Sequence, residues 1–121
     1  MSETELNLLK RIIDKQGKMM VDVNDVEDML IAYKFKEKNY IDIKPMHRNV
    51  VQISLREEGC IPTRDAINSH IEYLTKKREE LKKYKDDWVG TMRETINDMI
   101  YEDRKSLDKL KQIKVCGGVL K

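Results

Sequence analysis

The chain has 121 residues, of which 40% are hydrophobic and 38% are charged. This length allows one domain with its own core, and the apolar content is too high for a disordered tail. The 24 basic and 22 acidic side chains leave a net charge of only +2, so nucleic-acid binding would need a local basic patch.

The sequence contains no run of about 18 apolar residues and no charged leader followed by an apolar stretch. We therefore expect neither a membrane span nor a secretion signal, and we expect a cytoplasmic protein. Cys60 and Cys116 lack the spacing of a zinc site or of a disulfide framework. The sequence thus predicts two ordinary thiols.

The first segment has the pattern of an amphipathic helix, since apolar residues recur at helical spacing from Leu6 to Ile13. Ser2 and Glu5 have the spacing of a capping box, and Gly17 is a natural terminator. A short extended stretch, "KMMVD", follows the glycine.

A second helix is predicted to begin at Asn24. Its first turn is acidic and its end is basic, an order that suits the helix dipole. One face is apolar and contains Val26, Met29, Leu30 and Tyr33.

The stretch from residue 39 to residue 59 has the pattern of a β-hairpin. Apolar and polar residues alternate from Ile41 to Lys44 and again from Val51 to Leu55, and "PMHRN" between them favours a chain reversal. An isolated hairpin is marginally stable, so its apolar face must pack on the neighbouring helices.

From Thr63 to about Lys114 the pattern is helical, and Pro62 marks its beginning. A coiled-coil-like seam runs through the segment and predicts a dimer interface. Its apolar members are Ile67, Ile71, Leu74, Leu81, Trp88, Met92 and Met99.

Two structures remain open for this segment. One is a continuous or merely kinked helix, which we favour because the seam passes Gly90 without a change of phase. The other is a helical hairpin that breaks at Gly90, where Thr91 and Glu94 have capping-box spacing. Against that break, Asp86 and Asp87 would lie at a helix C-terminus, where the dipole disfavours negative charge.

The junction between the second helix and the hairpin resembles the winged-helix DNA-binding fold. The residues that carry the resemblance are "KEKNYI", at positions 36 to 41, and "LREEG", at positions 55 to 59. The resemblance implies duplex DNA as partner, transcriptional regulation as function, and a C-terminal helix that forms a homodimer. One departure is the short distance from Gly17 to Asn39, which is tight for a strand and a helix-turn-helix; a single helix there would remove the element expected in the major groove.

By the same resemblance, basic side chains would contact phosphates from the end of the recognition helix and from the wing, where they neutralise charge and release counterions. The residues in question are Lys34, Lys36, Lys38, Lys44, His47 and Arg48.

The sequence thus predicts a mainly α protein with a small β-hairpin. Residues 1–62 form a winged-helix-like domain, residues 63–114 a long helical dimerisation segment (or helical hairpin), and residues 115–121 a tail. His47 and His70 lack the spacing of a metal motif, and no catalytic motif is found, so we expect no metal, no cofactor and no enzymatic activity.

An alternative function is a non-enzymatic protein-binding module, such as an adaptor or inhibitor of the kind that mobile elements encode, with the same fold but without DNA. The near-neutral charge and the shortened helix-turn-helix region favour it. Trp88, Met92, Ile96 and Met99 could then form an adaptable partner surface, although we favour this stripe as the core of the dimer or of the hairpin.

Overall fold

The computed structural model describes residues 1–120, which form four helices and a three-stranded antiparallel sheet. This confirms the predicted mainly α class with a small β element. The helices are α1 (Glu3–Asp14), α2 (Val26–Glu37), α3 (Glu57–Leu81) and α4 (Asp87–Gln112), and the strands are β1 (Lys18–Asp22), β2 (Ile41–His47) and β3 (Val50–Leu55).

Helix α1 begins with the predicted capping box. The Glu5 backbone N–H donates to the Ser2 hydroxyl at 3.2 Å, and the Ser2 backbone N–H donates to the Glu5 carboxylate at 2.9 Å. The chain turns after the helix at Gly17, whose φ is +96°. A Cβ at this position would also lie 3.0 Å from the Ile113 side chain, a tight contact, so glycine is favoured both by the backbone angle and by the space available.

The sheet has the order β1-β3-β2, so β3 is the central strand. The predicted hairpin is the pair β2–β3, and β1 adds a third strand on the other side of β3. Ile53 in the central strand lies opposite Met19 in β1 and opposite Ile43 in β2. The predicted extended stretch "KMMVD" is thus strand β1. Ile53 is fully buried, because its face of the sheet packs on the helices.

Helix α2 is a single uninterrupted helix that runs from Val26, close to the predicted start, to Glu37. It is therefore not a helix-turn-helix, and the chain lacks, in the region between residues 17 and 39, the separate recognition helix that the winged-helix resemblance implies.

Helices α3 and α4 form the helical hairpin, one of the two predicted alternatives, and the favoured continuous helix is not what the structure has. The connection covers residues 82–86 and precedes the predicted break at Gly90. Its position places Asp86 at the N-cap of α4 and Asp87 in its first turn, where the helix dipole favours negative charge. The two aspartates thus promote the break that they appeared to oppose.

Helix α3 begins at Glu57, six residues before the predicted start, and contains Pro62. The proline is the sixth residue of the helix, and its missing N–H leaves the Glu58 carbonyl without the usual helical donor. Gly59 is required in the first turn, since a Cβ there would lie 2.4 Å from the Tyr40 carbonyl oxygen. The helix crosses the predicted boundary at residue 62.

The prediction of two ordinary thiols is wrong, because Cys60 and Cys116 form a disulfide with a Cα–Cα distance of 5.4 Å. Cys60 lies in the first turn of α3 and Cys116 lies just after α4. Both cysteines are fully buried, and Leu120 in the tail is buried as well. One hydrophobic cluster therefore joins the N-terminal elements, the base of the hairpin and the tail.

Candidate functional site

Three apolar side chains of α4 form an exposed stripe on the half of the α3–α4 hairpin that is nearer the connection between the two helices. Trp88, Met92 and Met99 recur at intervals of four and seven residues, which places them on one face of the helix. Between 37% and 65% of each side chain is exposed. We call these three residues the α4 stripe.

Nearer the C-terminus, the face of α4 that carries the stripe is covered by α1. Ser106 and Leu110 continue the spacing from Met99 and are buried. Lys10 of α1 pairs with Asp103, and Asp14 pairs with Lys109 at 3.1 Å. The two helices therefore run in the same direction, and the stripe lies beyond the N-terminus of α1.

A cleft of about 710 Å³ lies between the N-terminal end of α1 and helix α3, and Met99 of α4 forms part of its lining. Leu6, Leu74 and Met99 supply apolar lining, and His70 and Tyr73 supply polar groups. The cleft thus connects the seat of α1 with the α4 stripe, and the two together form a groove that a further helix could enter.

A buried charge cluster holds the groove together. The Asp103 carboxylate, which is fully buried, accepts from the Lys10 ammonium and from His70 Nδ1, the latter at 2.6 Å. A carboxylate only accepts, so Nδ1 carries the hydrogen in this bond. The cluster ties α1, α3 and α4 together at the groove.

The predicted dimer residues divide between the core and the surface. Ile67 and Leu74 are buried within the chain, Ile71 and Leu81 are partly buried, and only the α4 stripe is exposed. Helix α3 packs against α4. The α3 half of the seam is therefore used within the chain, whereas its α4 half faces solvent. Dimerisation through these residues stays a prediction.

The predicted DNA-binding lysines of α2 do not lie on one face. At 3.6 residues per turn, Lys34 and Lys38 lie on one flank of the helix and Lys36 lies on the other. Lys34 pairs with the Glu5 carboxylate at 3.0 Å. The Ser2 backbone N–H and this ammonium lower the pKa of Glu5 to about 2.

The outward face of α2, between the two flanks, is apolar. Val26, Leu30 and Tyr33 are between 52% and 66% exposed, whereas Met29 and Phe35 on the inner side are buried. The predicted apolar face of this helix therefore points mostly away from the core. We call Val26, Leu30 and Tyr33 the α2 stripe.

The basic residues of the β2–β3 hairpin lie near its tip. Lys44, His47 and Arg48 are exposed and have no ion pair within residues 1–120. Strand β2 separates the tip from the end of α2 by seven residues, or roughly 20 Å at about 3.3 Å per residue. The structure thus forms two small basic regions at opposite ends of the strand.

Within residues 1–120, no group of three or more His, Cys, Asp or Glu side chains is arranged to hold a metal ion, and no helix has the length and hydropathy to cross a membrane. Comparisons with protein-family models, curated proteins and solved structures found no match. The geometry of the surface is therefore the basis for a functional proposal.

Proposed function

We propose that this chain is a non-catalytic protein-binding module whose groove, formed by α3 and α4, takes an amphipathic helix of a partner protein. The observation that supports this most strongly is the continuation of the α1 seat into an exposed stripe with a tryptophan and two methionines. Tryptophan is over-represented at binding hot spots, and methionine repacks easily around different partners.

The charges around the groove indicate what the partner helix carries beside its apolar face. Glu3 and Asp65 line the cleft described above. A smaller cleft, of about 280 Å³, lies between the start of α1 and α4 and is lined by Asp98 and Glu102. Acidic rims favour basic partners through steering and specificity. The fitting occupant is a helix with apolar residues at i, i+4 and i+7 and with lysine or arginine on its flanks.

Trp88 provides a direct test, since it is the single tryptophan of the chain. A synthetic helical peptide with a leucine face and lysine flanks is titrated into the protein while tryptophan emission is recorded. We expect a shift of the emission to shorter wavelength, because the peptide covers the exposed indole.

The same peptide, carrying a fluorescent label, then measures the effect of substitutions. We expect Trp88→Ala and Met92→Ala each to weaken binding about tenfold or more. Tyr101→Ala is the matched control, because Tyr101 is an equally exposed aromatic residue on the opposite face of α4. A loss of equal size in the control, or equally tight binding of a peptide with glutamate flanks, would contradict the proposal.

A second candidate function, binding of duplex DNA, is supported by the exposed basic tip of the β2–β3 hairpin, where the winged-helix resemblance implies contacts with phosphates. It ranks second because Lys34 is paired with Glu5 and because the outward face of α2 is apolar. Major-groove recognition instead needs side chains that hydrogen-bond to base edges.

Fluorescence anisotropy of a labelled mixed-sequence duplex tests this candidate at roughly 50 and 200 mM salt. DNA binding through the tip predicts affinity that falls steeply with salt and is reduced in a Lys44→Ala, Arg48→Ala double variant. A Lys82→Ala, Lys83→Ala double variant is the control, because these lysines lie in the connection between α3 and α4. Absence of binding at the lower salt concentration excludes the tip as a DNA contact.

A further inference from the structure

The α2 stripe is not explained by the fold or by the proposed groove. Val26, Leu30 and Tyr33 form a continuous apolar strip along a helix whose opposite side already packs on the core. Exposed apolar residues that form a contiguous patch are typical of interaction sites. The stripe is therefore the best remaining candidate for an interface.

Charged residues border the stripe on both sides, and their order is the same on each side. On one flank, Glu27 precedes Lys34 by seven residues, which is close to two helical turns. On the other flank, Asp25 precedes Lys36 by eleven residues, which is close to three turns. Both flanks are thus acidic near the start of α2 and basic near its end.

Such a face is complementary to itself when two helices lie antiparallel. The midpoint between Glu27 and Lys34 and the midpoint between Asp25 and Lys36 coincide, between Leu30 and Ile31. A two-fold axis at that point brings each acidic residue opposite the matching lysine of the other copy, on both flanks at once. A two-fold interface requires this kind of self-complementarity.

We propose that two copies of this chain associate through antiparallel packing of α2 about a two-fold axis beside Leu30. Leu30 of each copy packs on the other, and Val26 packs against Tyr33 of the second copy. Lys34, whose side chain is half exposed, has three donors and reaches both Glu5 of its own chain and Glu27 of the second copy.

The interface is small, since α2 has only 12 residues, and we therefore expect a weak dimer with a dissociation constant in the micromolar range. Sedimentation equilibrium at increasing protein concentration measures it. We expect Leu30→Asp to weaken association well over tenfold, because it places two like charges beside the axis. Trp88→Asp is the control, since it changes an equally exposed apolar residue on the hairpin.

Cross-linking gives a second measurement that depends on the position of the axis. The native cysteines are joined to each other, so an introduced cysteine supplies the one free thiol within residues 1–120. Leu30→Cys lies beside the axis and should oxidise to a covalent dimer. Val23→Cys lies in the turn before α2, away from the axis, and should not.

Four outcomes overturn the proposal. They are a monomer at hundreds of micromolar protein, a dimer that survives Leu30→Asp, a dimer that Trp88→Asp abolishes, and cross-linking of Val23→Cys as efficient as that of Leu30→Cys. A dimer that responds to the substitution in the α4 stripe would instead place the interface on the hairpin.

Discussion

The two ends of the α3–α4 hairpin have the same local structure but very different packing. At the base, the disulfide, the sheet and α1 surround the two helices, and Ile67, Asp103 and Leu110 are fully buried. At the far end, Val89 is the one buried residue between residue 75 and residue 99. The far end is two helices in contact with little but each other.

This difference shows that the apolar pattern of a helix does not determine its burial. Leu110 and Met92 lie on the same face of α4, yet Leu110 is fully buried and Met92 is 44% exposed. What distinguishes them is the presence of α1 over one and its absence over the other. The free face of the far end is the structural basis of the proposed groove, and the predictions below test the comparison in order of decreasing effect.

The largest difference in stability is expected between truncation of a buried aromatic residue and truncation of an exposed one. Phe35 in α2 is 1% exposed, and truncation to alanine should lower the free energy of unfolding by about 4 kcal/mol through lost burial and a cavity. Trp88→Ala at the far end of the hairpin should change it by less than about 0.5 kcal/mol. Urea unfolding followed by circular dichroism measures both, and effects of similar size would show that the indole packs in solution.

The disulfide tests whether stability is concentrated at the base. It closes a loop that contains the entire hairpin, since Cys60 and Cys116 are 56 residues apart. Reduction should lower the free energy of unfolding by about 3 kcal/mol, mainly because the unfolded chain gains freedom. Urea unfolding with and without reductant measures the loss.

A Cys60→Ala, Cys116→Ala variant is the control, and reductant should not change its unfolding. An unchanged midpoint for the wild type under reducing conditions would show that the cross-link adds nothing to the base. The disulfide also bears on the compartment, because such bonds persist in oxidising environments and are rare in the cytosol, where we expected the protein to be.

Features set by neighbouring residues could be predicted from the sequence. The Ser2 capping box, the turn at Gly17, the hairpin strands and the existence of α2 all follow from local spacing and turn chemistry. Contacts between distant residues could not. The Cys60–Cys116 bond joins positions 56 residues apart and has no local signature.

The candidate site was predicted only in part, for the same reason. Periodicity identified Trp88, Met92 and Met99 as one stripe, but their exposure depends on where α1 begins beside α4. Periodicity also assigned an apolar face to α2, yet that helix is apolar on both sides, so the pattern did not indicate which side is buried.

The buried Asp103 cluster should have a smaller effect than the core. Asp103→Asn removes the charge that Lys10 and His70 share and should cost about 2 kcal/mol, since Lys10 retains some access to solvent. Asp98→Asn, at an exposed carboxylate five residues before Asp103, is the control and should be close to neutral. Thermal unfolding measures both. Equal effects would mean that the cluster does not organise the helices around the groove.

The smallest expected effect is the change of stability with pH that is due to Glu5, which lies in the first turn of α1. Its pKa in the folded protein is about 2, below the ordinary 4.5, because the Ser2 backbone N–H and the Lys34 ammonium favour the charged form. A lowered folded pKa stabilises the protein at pH above about 4.5, and this contribution disappears as the pH falls from 4.5 towards 2. We expect it to be on the order of 1 kcal/mol, because Lys34 is half exposed and solvent screens the pair.

The difference in unfolding free energy between the wild type and Glu5→Gln isolates this term from the other carboxylates. It should be constant near neutral pH and shrink across that acidic window. Glu79 at the far end of the hairpin is the counterpart, since the ammonium of Lys82 also lowers its pKa but both partners are exposed. Glu79→Gln should therefore give a smaller pH-dependent difference than Glu5→Gln. A difference at Glu79 as large as that at Glu5 would mean that the two ends of the molecule do not differ in how their ion pairs are held.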